Sequence, residues 1–266
     1  MKRFILFFAM TACTLVVNAQ KMLIVYYSQT GVTQQVAQLM QQQLGADIER
    51  IEAVIPYDGT YNETIERSRR ERKEKVLPEI KPLKVNVKDY DIIFLGYPIW
   101  FGTYALPMKT FIKYNSLAGK TLVPFCTFGS GGLASSLADL AKDQPMATVK
   151  KGYGVRTARV KAAAKEVERF LIENGFKAGK VKHLPDYGKQ KPVTEADKAV
   201  FDAACANYQY PLGTPLTVGK RKTKDSRDYK FTVKSRGMND EEATSIIYVT
   251  VGKAKGSKPE FTEVVR

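Results

Sequence analysis

Between residues 22 and 175, runs of consecutive apolar residues alternate five times with apolar residues at helical spacing, and few architectures accept that rhythm. Residues 22–27 are apolar at successive positions, as in a parallel strand covered on both faces. From Val32 the apolar positions become Val36, Leu39, Met40 and Leu44, which predicts a helix stopped by Gly45. Residues 48–55 predict a second, less apolar strand nearer the sheet edge. Residues 57–64 read as turns, and 65–76 as an exposed helix with pairs four apart at Glu63/Arg67, Glu66/Arg70 and Glu71/Lys75. A buried strand over 91–96, a helix over 105–114, a strand over 121–128, a helix over 131–142 and a weaker outer strand over 147–155 follow. Pro124 is a tension in that scheme, because proline removes a ladder donor. Val160, Ala163, Ala164, Val167, Phe170 and Leu171 mark a last amphipathic helix, closed by Asn174-Gly175. The alternation predicts an α/β fold: a parallel sheet with helices on both faces and the loops after the strands along one edge.

After Gly175 the rhythm changes. Residues 177–192 form a basic, turn-rich linker, and Thr194-Glu195-Ala196-Asp197 resembles a helix start. From Thr214 the pattern has period two, with strands expected near Leu216, over 229–233, over 246–251 and over 261–265. Such a meander is small for independent stability, so it should pack on the first domain or on a second copy of the chain as a homodimer. The organisation expected is a signal peptide over 1–19, an α/β domain over 20–176, a linker with a helix over 177–212 and a β-rich extension over 213–266.

Three loops leave the predicted functional edge. Ser28-Gln29-Thr30-Gly31-Val32-Thr33 joins a buried strand directly to a helix. Its N–H groups and the helix dipole suit an anion, its hydroxyls can donate to phosphate oxygens, and Gly31 permits a tight turn. There is neither the lysine of a nucleoside-triphosphate loop nor GxGxxG, so the site fits one phosphate monoester; an ordinary hydroxyl-rich cap is the alternative. Pro98-Ile99-Trp100-Phe101-Gly102 carries the only tryptophan, a flat partner for a flat ligand or simply rim packing. Thr127-Phe128-Gly129-Ser130-Gly131-Gly132 offers backbone N–H groups beside a groove, or a flexible turn. In open parallel sheets ligands bind at this edge where strand order reverses.

Together "YYSQTGVT", "YDIIFLGYPIWFG" and "PFCTFGSGG" resemble, in order, the three FMN-binding loops of the flavodoxin family, across roughly residues 22–175. The resemblance implies a doubly wound five-stranded sheet of order 2-1-3-4-5 and one non-covalent FMN. The phosphate would lie on Ser28–Thr33 and the ring between the second and third loops. Trp100 would stack on that ring, with Phe128 or Tyr61 as a second wall. It implies electron transfer to an unknown redox protein or small acceptor, with binding residues and no catalytic ones. An FMN-dependent NAD(P)H:quinone-type oxidoreductase and a cofactor-free exported binding protein are the competing readings.

Charge and targeting separate this chain from typical acidic, cytoplasmic electron carriers. The net charge is +15, yet the basic residues are spread and interleaved with acids, with no aromatic-rich nucleic-acid motif. Lys2 and Arg3, the apolar stretch 4–17 and Val17-Asn18-Ala19 read as an export signal, so a periplasmic location is expected. That stretch is shorter than the ~20 residues of a spanning helix, and no integral membrane segment is expected after cleavage. A lipoprotein anchor on Cys13 fits less well, because the usual leucine is missing and the apolar run continues past it. Two cysteines, Cys126 and Cys205, remain and make no disulfide scaffold. The single histidine, His183, argues against a histidine-based metal site.

Overall fold

The structure is a computed structural model that describes residues 20–236 and 242–265. The expected signal over 1–19, with Cys13, lies outside the described residues. In chain order the first part contains β1 (Met22–Tyr26), α1 (Val32–Leu44), β2 (Asp47–Arg50), α2 (Tyr61–Glu74), β3 (Ile92–Trp100), β4 (Thr103–Tyr104), α3 (Leu106–Tyr114), β5 (Thr121–Phe128), α4 (Leu133–Asp143), β6 (Thr148–Val149), β7 (Tyr153–Arg156) and α5 (Ala163–Glu173). The sheet runs β2-β1-β3-β5, with β6 and β7 both on the outer side of β5 and all these pairings parallel. Taking β6 and β7 as one interrupted strand, and β4 as a hairpin arm on β3, this is the expected order 2-1-3-4-5.

Two cores explain the consecutive apolar runs. Leu23, Val25, Ile93, Leu95, Leu122 and Cys126 point to one face, against Met108, Phe111 and Ile112 of α3 and Leu140 of α4. Ile24, Tyr26, Phe94, Val123 and Phe125 point to the other, against Val36 and Met40 of α1 and Val167, Phe170 and Leu171 of α5. With side chains alternating across a strand, a sheet covered twice needs apolar residues at every position, at about 1.5–3 kcal/mol for each large side chain removed from water.

Pro124 costs no ladder bond because of where it sits. β5 pairs with β6 through Thr121 and Leu122 and with β7 through Phe125 to Phe128, so Pro124 faces the break between them. The outer strand expected over 147–155 is therefore two short pieces. The acidic–basic helix also starts earlier than its charge pattern predicts. Thr60 and Glu63 form a capping box, so residues 61–64 belong to α2 rather than to a turn. Glu63 is used in that cap, and the pair that forms four apart is Arg67–Glu71 at 2.8 Å.

The second part has its own sheet and core. β8 (Lys191–Pro192), α6 (Glu195–Cys205), β9 (Thr214–Lys222), β10 (Ser226–Arg236), β11 (Glu242–Gly252) and β12 (Pro259–Val265) give an antiparallel sheet ordered β12-β11-β10-β9-β8. A Thr194–Asp197 capping box starts α6, and Phe201 from that helix packs with Phe231, Ile247, Val249 and Phe261 of the sheet. The extension packs on the α/β domain of its own chain through β12. Both Cys126 and Cys205 are free thiols.

Candidate functional site

β1 and β3 are neighbours whose chains leave in opposite directions, β1 toward β2 and β3 toward β5. This is the point of reversal where an open α/β sheet leaves a crevice. The loop after β1 enters α1 with Gly31 as N-cap at φ 84°, no side chain capping the helix and no acid in its first turn. Among the described residues, no protein acceptor meets the backbone N–H groups of residues 28–33. Ser28 is 2% exposed and its Oγ has no hydrogen-bond partner among the described residues. A buried hydroxyl without a partner costs about 1–3 kcal/mol, so the loop is organised to receive an acceptor that brings its own oxygens. The Arg50 guanidinium, 3.3 Å from the Ser28 carbonyl, adds a cation beside it.

Around this cradle the neighbours are fixed. The Gln29 side-chain amide donates to the Tyr57 carbonyl at 3.1 Å and to Thr64 Oγ1 at 2.8 Å. Buried Thr33 Oγ1 and Thr127 Oγ1 share a hydrogen bond of 2.8 Å, which ties the first loop to the end of β5. Thr30 is exposed and Val32 is partly buried on the first turn of α1.

The second loop is a hairpin rather than an irregular segment. β3 runs through Pro98 and Ile99 to Trp100 and pairs antiparallel with β4, leaving Phe101 and Gly102 as a two-residue tip. Both have positive φ, 53° and 79°, as a type I′ turn requires. A phenylalanine in that region is uncommon, and the turn presents it half-exposed at the groove. Ser135 Oγ on α4 donates to the Gly102 carbonyl at 2.5 Å and fixes the tip against the third loop.

The third loop leaves β5 after the buried pair Thr127 and Phe128. Two of its carbonyls are engaged on the outer side: Gly129 accepts from Arg156 Nε at 2.8 Å and Ser130 accepts from the Val264 N–H at 2.8 Å. The N–H groups of Gly129, Ser130, Gly131 and Gly132 have no acceptor among the described residues. A groove of about 530 Å³ lies here, between Tyr61, Phe101 and Gly102 on one side and residues 129–132 on another.

The structure thus brings the three expected loops to one edge, with a different aromatic partition. Trp100 does not line the groove. Its partly buried indole lies edge-on to Tyr57 at 5.1 Å and to Tyr27 at 5.7 Å and packs against the core on that face of the sheet. Phe128 is 4% exposed and is no second wall, whereas Phe101 and Tyr61 do face the groove. Sequence reasoning missed Tyr208, Tyr210, Glu263 and Val265, which close the groove from the C-terminal part. The only signal for them was that a small meander must pack on something.

A doubly wound sheet whose reversal point carries an uncapped helix start defines the class of α/β proteins that hold a phosphate-bearing ligand at the sheet edge. A family model for flavodoxin matches residues 21–170, more than half of the chain, and the chain belongs to that family. No curated protein matches. Among solved structures, a candidate flavoprotein from Bacteroides uniformis is 26% identical with a TM-score of 0.50, over 56% of this chain and 98% of its own. One from Bacteroides eggerthii is 32% identical with a TM-score of 0.48, over 56% and 99%. A flavoprotein from Lactobacillus acidophilus, solved in complex with FMN, is 22% identical with a TM-score of 0.47, over 55% and 99%.

Proposed function

We propose that this chain is an FMN-binding, flavodoxin-like electron-transfer protein. The observation that carries the reading is the cradle at the start of α1, with unpaired N–H groups, no cap, and the buried, unpartnered Ser28 hydroxyl. These residues fit a phosphate monoester: the amides and Ser28 donate to its oxygens and the helix dipole offsets its charge. Thr33 holds the register of the first loop against β5 through Thr127. Phe101 and Tyr61 offer aromatic surface, and the N–H groups of residues 129–132 offer donors to a ring edge. Bound FMN supplies one- and two-electron chemistry that the side chains lack, while the protein positions it and shields it from water. The electron partner is a redox protein or a small acceptor, and the amino-terminal segment 1–19 supports export to the periplasm.

The test is direct. Purified protein titrated with FMN and with riboflavin should quench the fluorescence of both and bind FMN at least tenfold more tightly, because charge-assisted phosphate hydrogen bonds are worth about 1.5–3 kcal/mol each. Protein that ignores both ligands overturns the reading, and equal affinity overturns the role of the first loop. Mature protein recovered with residues 1–19 still attached overturns the export reading.

A further inference from the structure

The groove beside the third loop is not completed by the α/β domain. Its remaining wall is the C-terminal part: Tyr208 and Tyr210 after α6, and Glu263, Val264 and Val265 of β12. This wall is fastened to the loop. Val264 N–H donates to the Ser130 carbonyl at 2.8 Å, and Arg156 bridges by donating to the Gly129 and Phe261 carbonyls at 2.8 and 2.7 Å with its guanidinium 4.0 Å from the Phe261 ring centre. Arg159 adds ion pairs to Glu166 and Glu260. The approach is so close that a Cβ on Gly131 would stand 2.1 Å from the Val264 carbonyl oxygen.

Glu263 is the unusual member of the wall. Among the described residues its carboxylate has neither a hydrogen-bond nor an ion-pair partner, although it lines the groove. Burial alone pushes its pKa up to about 6. A largely desolvated acid in a cleft is free to meet a ligand, and ionised it can only accept hydrogen bonds. It lines the same groove as the N–H groups of residues 129–132, so the groove offers donors and an acceptor together. The imide edge of an isoalloxazine, one N–H between two carbonyls, is the complement of that pattern.

We infer that the C-terminal sheet is a built-in wall of the flavin-ring site, and that Glu263 is its selecting residue, accepting a hydrogen bond from the imide N–H of the ring. The inference rests on the FMN reading above. It is tested on the full chain with FMN and FMN methylated at the imide nitrogen, for the wild type, Glu263→Ala and the isosteric Glu263→Gln. Wild type should bind the methylated ligand roughly tenfold or more weakly, the loss expected when a charge-assisted hydrogen bond is removed. Glu263→Ala should reduce that discrimination to within about twofold, and Glu263→Gln, a weaker neutral acceptor, should lie between. Should the alanine variant fail to fold, the glutamine variant with the imide proton shift of labelled FMN decides: the resonance moves upfield if Glu263 is the acceptor. Tight FMN binding with no discrimination in the wild type, or equal discrimination in all variants, overturns this inference alone. No binding of FMN by the wild type overturns the reading beneath it.

Discussion

The cradle at residues 28–33 and the groove at residues 129–132 both present unpaired N–H groups at a helix start, yet they are built in opposite ways. The cradle is a contiguous peptide between β1 and α1, and its unsatisfied group is the Ser28 hydroxyl within it. The groove is assembled from loops more than a hundred residues apart, with Ser130 held by Val264, and the acid it presents, Glu263, comes from the distant strand. A phosphate site can be local because its donors are consecutive amides and a dipole. A wall for a ring edge cannot, because one loop exposes donors on one side only and an acceptor must come from elsewhere.

The largest test of that contrast is Gly131→Val. Its Cβ has no room beside the Val264 carbonyl, so β12 should lift from the third loop at a cost of about 3 kcal/mol. Differential scanning calorimetry should then resolve the extension as a separate, earlier transition, with protease sensitivity near residues 129–133; a single unchanged transition would show that the wall is not held by this contact. Next comes Ser28→Ala. FMN affinity should fall by about 1.5–3 kcal/mol with riboflavin affinity unchanged, while the ligand-free protein gains up to about 1 kcal/mol because an orphaned buried hydroxyl is gone. Parallel losses of FMN and riboflavin affinity would remove the phosphate from this loop.

The third test uses pH and belongs to the groove. The folded pKa of Glu263 is about 6, raised from an ordinary 4.5, so the folded state binds its proton more tightly than the unfolded chain. Its contribution is fully present below pH 4.5 and is lost as pH rises through 6, a change of at most about 2 kcal/mol. Cys126 and Tyr248 feel its charge, and their pKa values, raised by burial, keep both neutral across this window. Denaturant melts of wild type and Glu263→Gln should diverge between pH 4.5 and 6; superimposable profiles would mean that Glu263 is solvated. Smallest is Glu260→Gln at the rim. It removes a half-exposed pair with Arg159 and should cost no more than about 0.5 kcal/mol, fading with salt; a larger loss would place much of the docking energy in ion pairs.

Much of the first domain was legible in the residues. Consecutive apolar runs required a sheet covered twice, and the observed faces divide as alternation demands. The position of the three loops followed from the parallel crossovers. Trp100 shows where this reasoning stopped: its uniqueness and loop position suggested a ligand face, but which rings meet it could not be read, because Tyr27 and Tyr57 come from elements far away in sequence. Phe101 was overshadowed because a positive φ on phenylalanine is not a sequence signal; the hairpin imposes it. α2 began early because Thr60 and Glu63 cap it, a box readable in the sequence but hidden among turn residues.

Residue order alone was enough for the sheet, its covering helices and the direct strand-to-helix turn at residues 28–33, since each depends on spacing within a few turns or strand lengths. Which aromatic meets the groove, and that β12 closes it with an unpartnered acid, depended on how two separate cores settle against each other. Periodicity reports which side of an element is apolar but carries no information about which distant element will cover it.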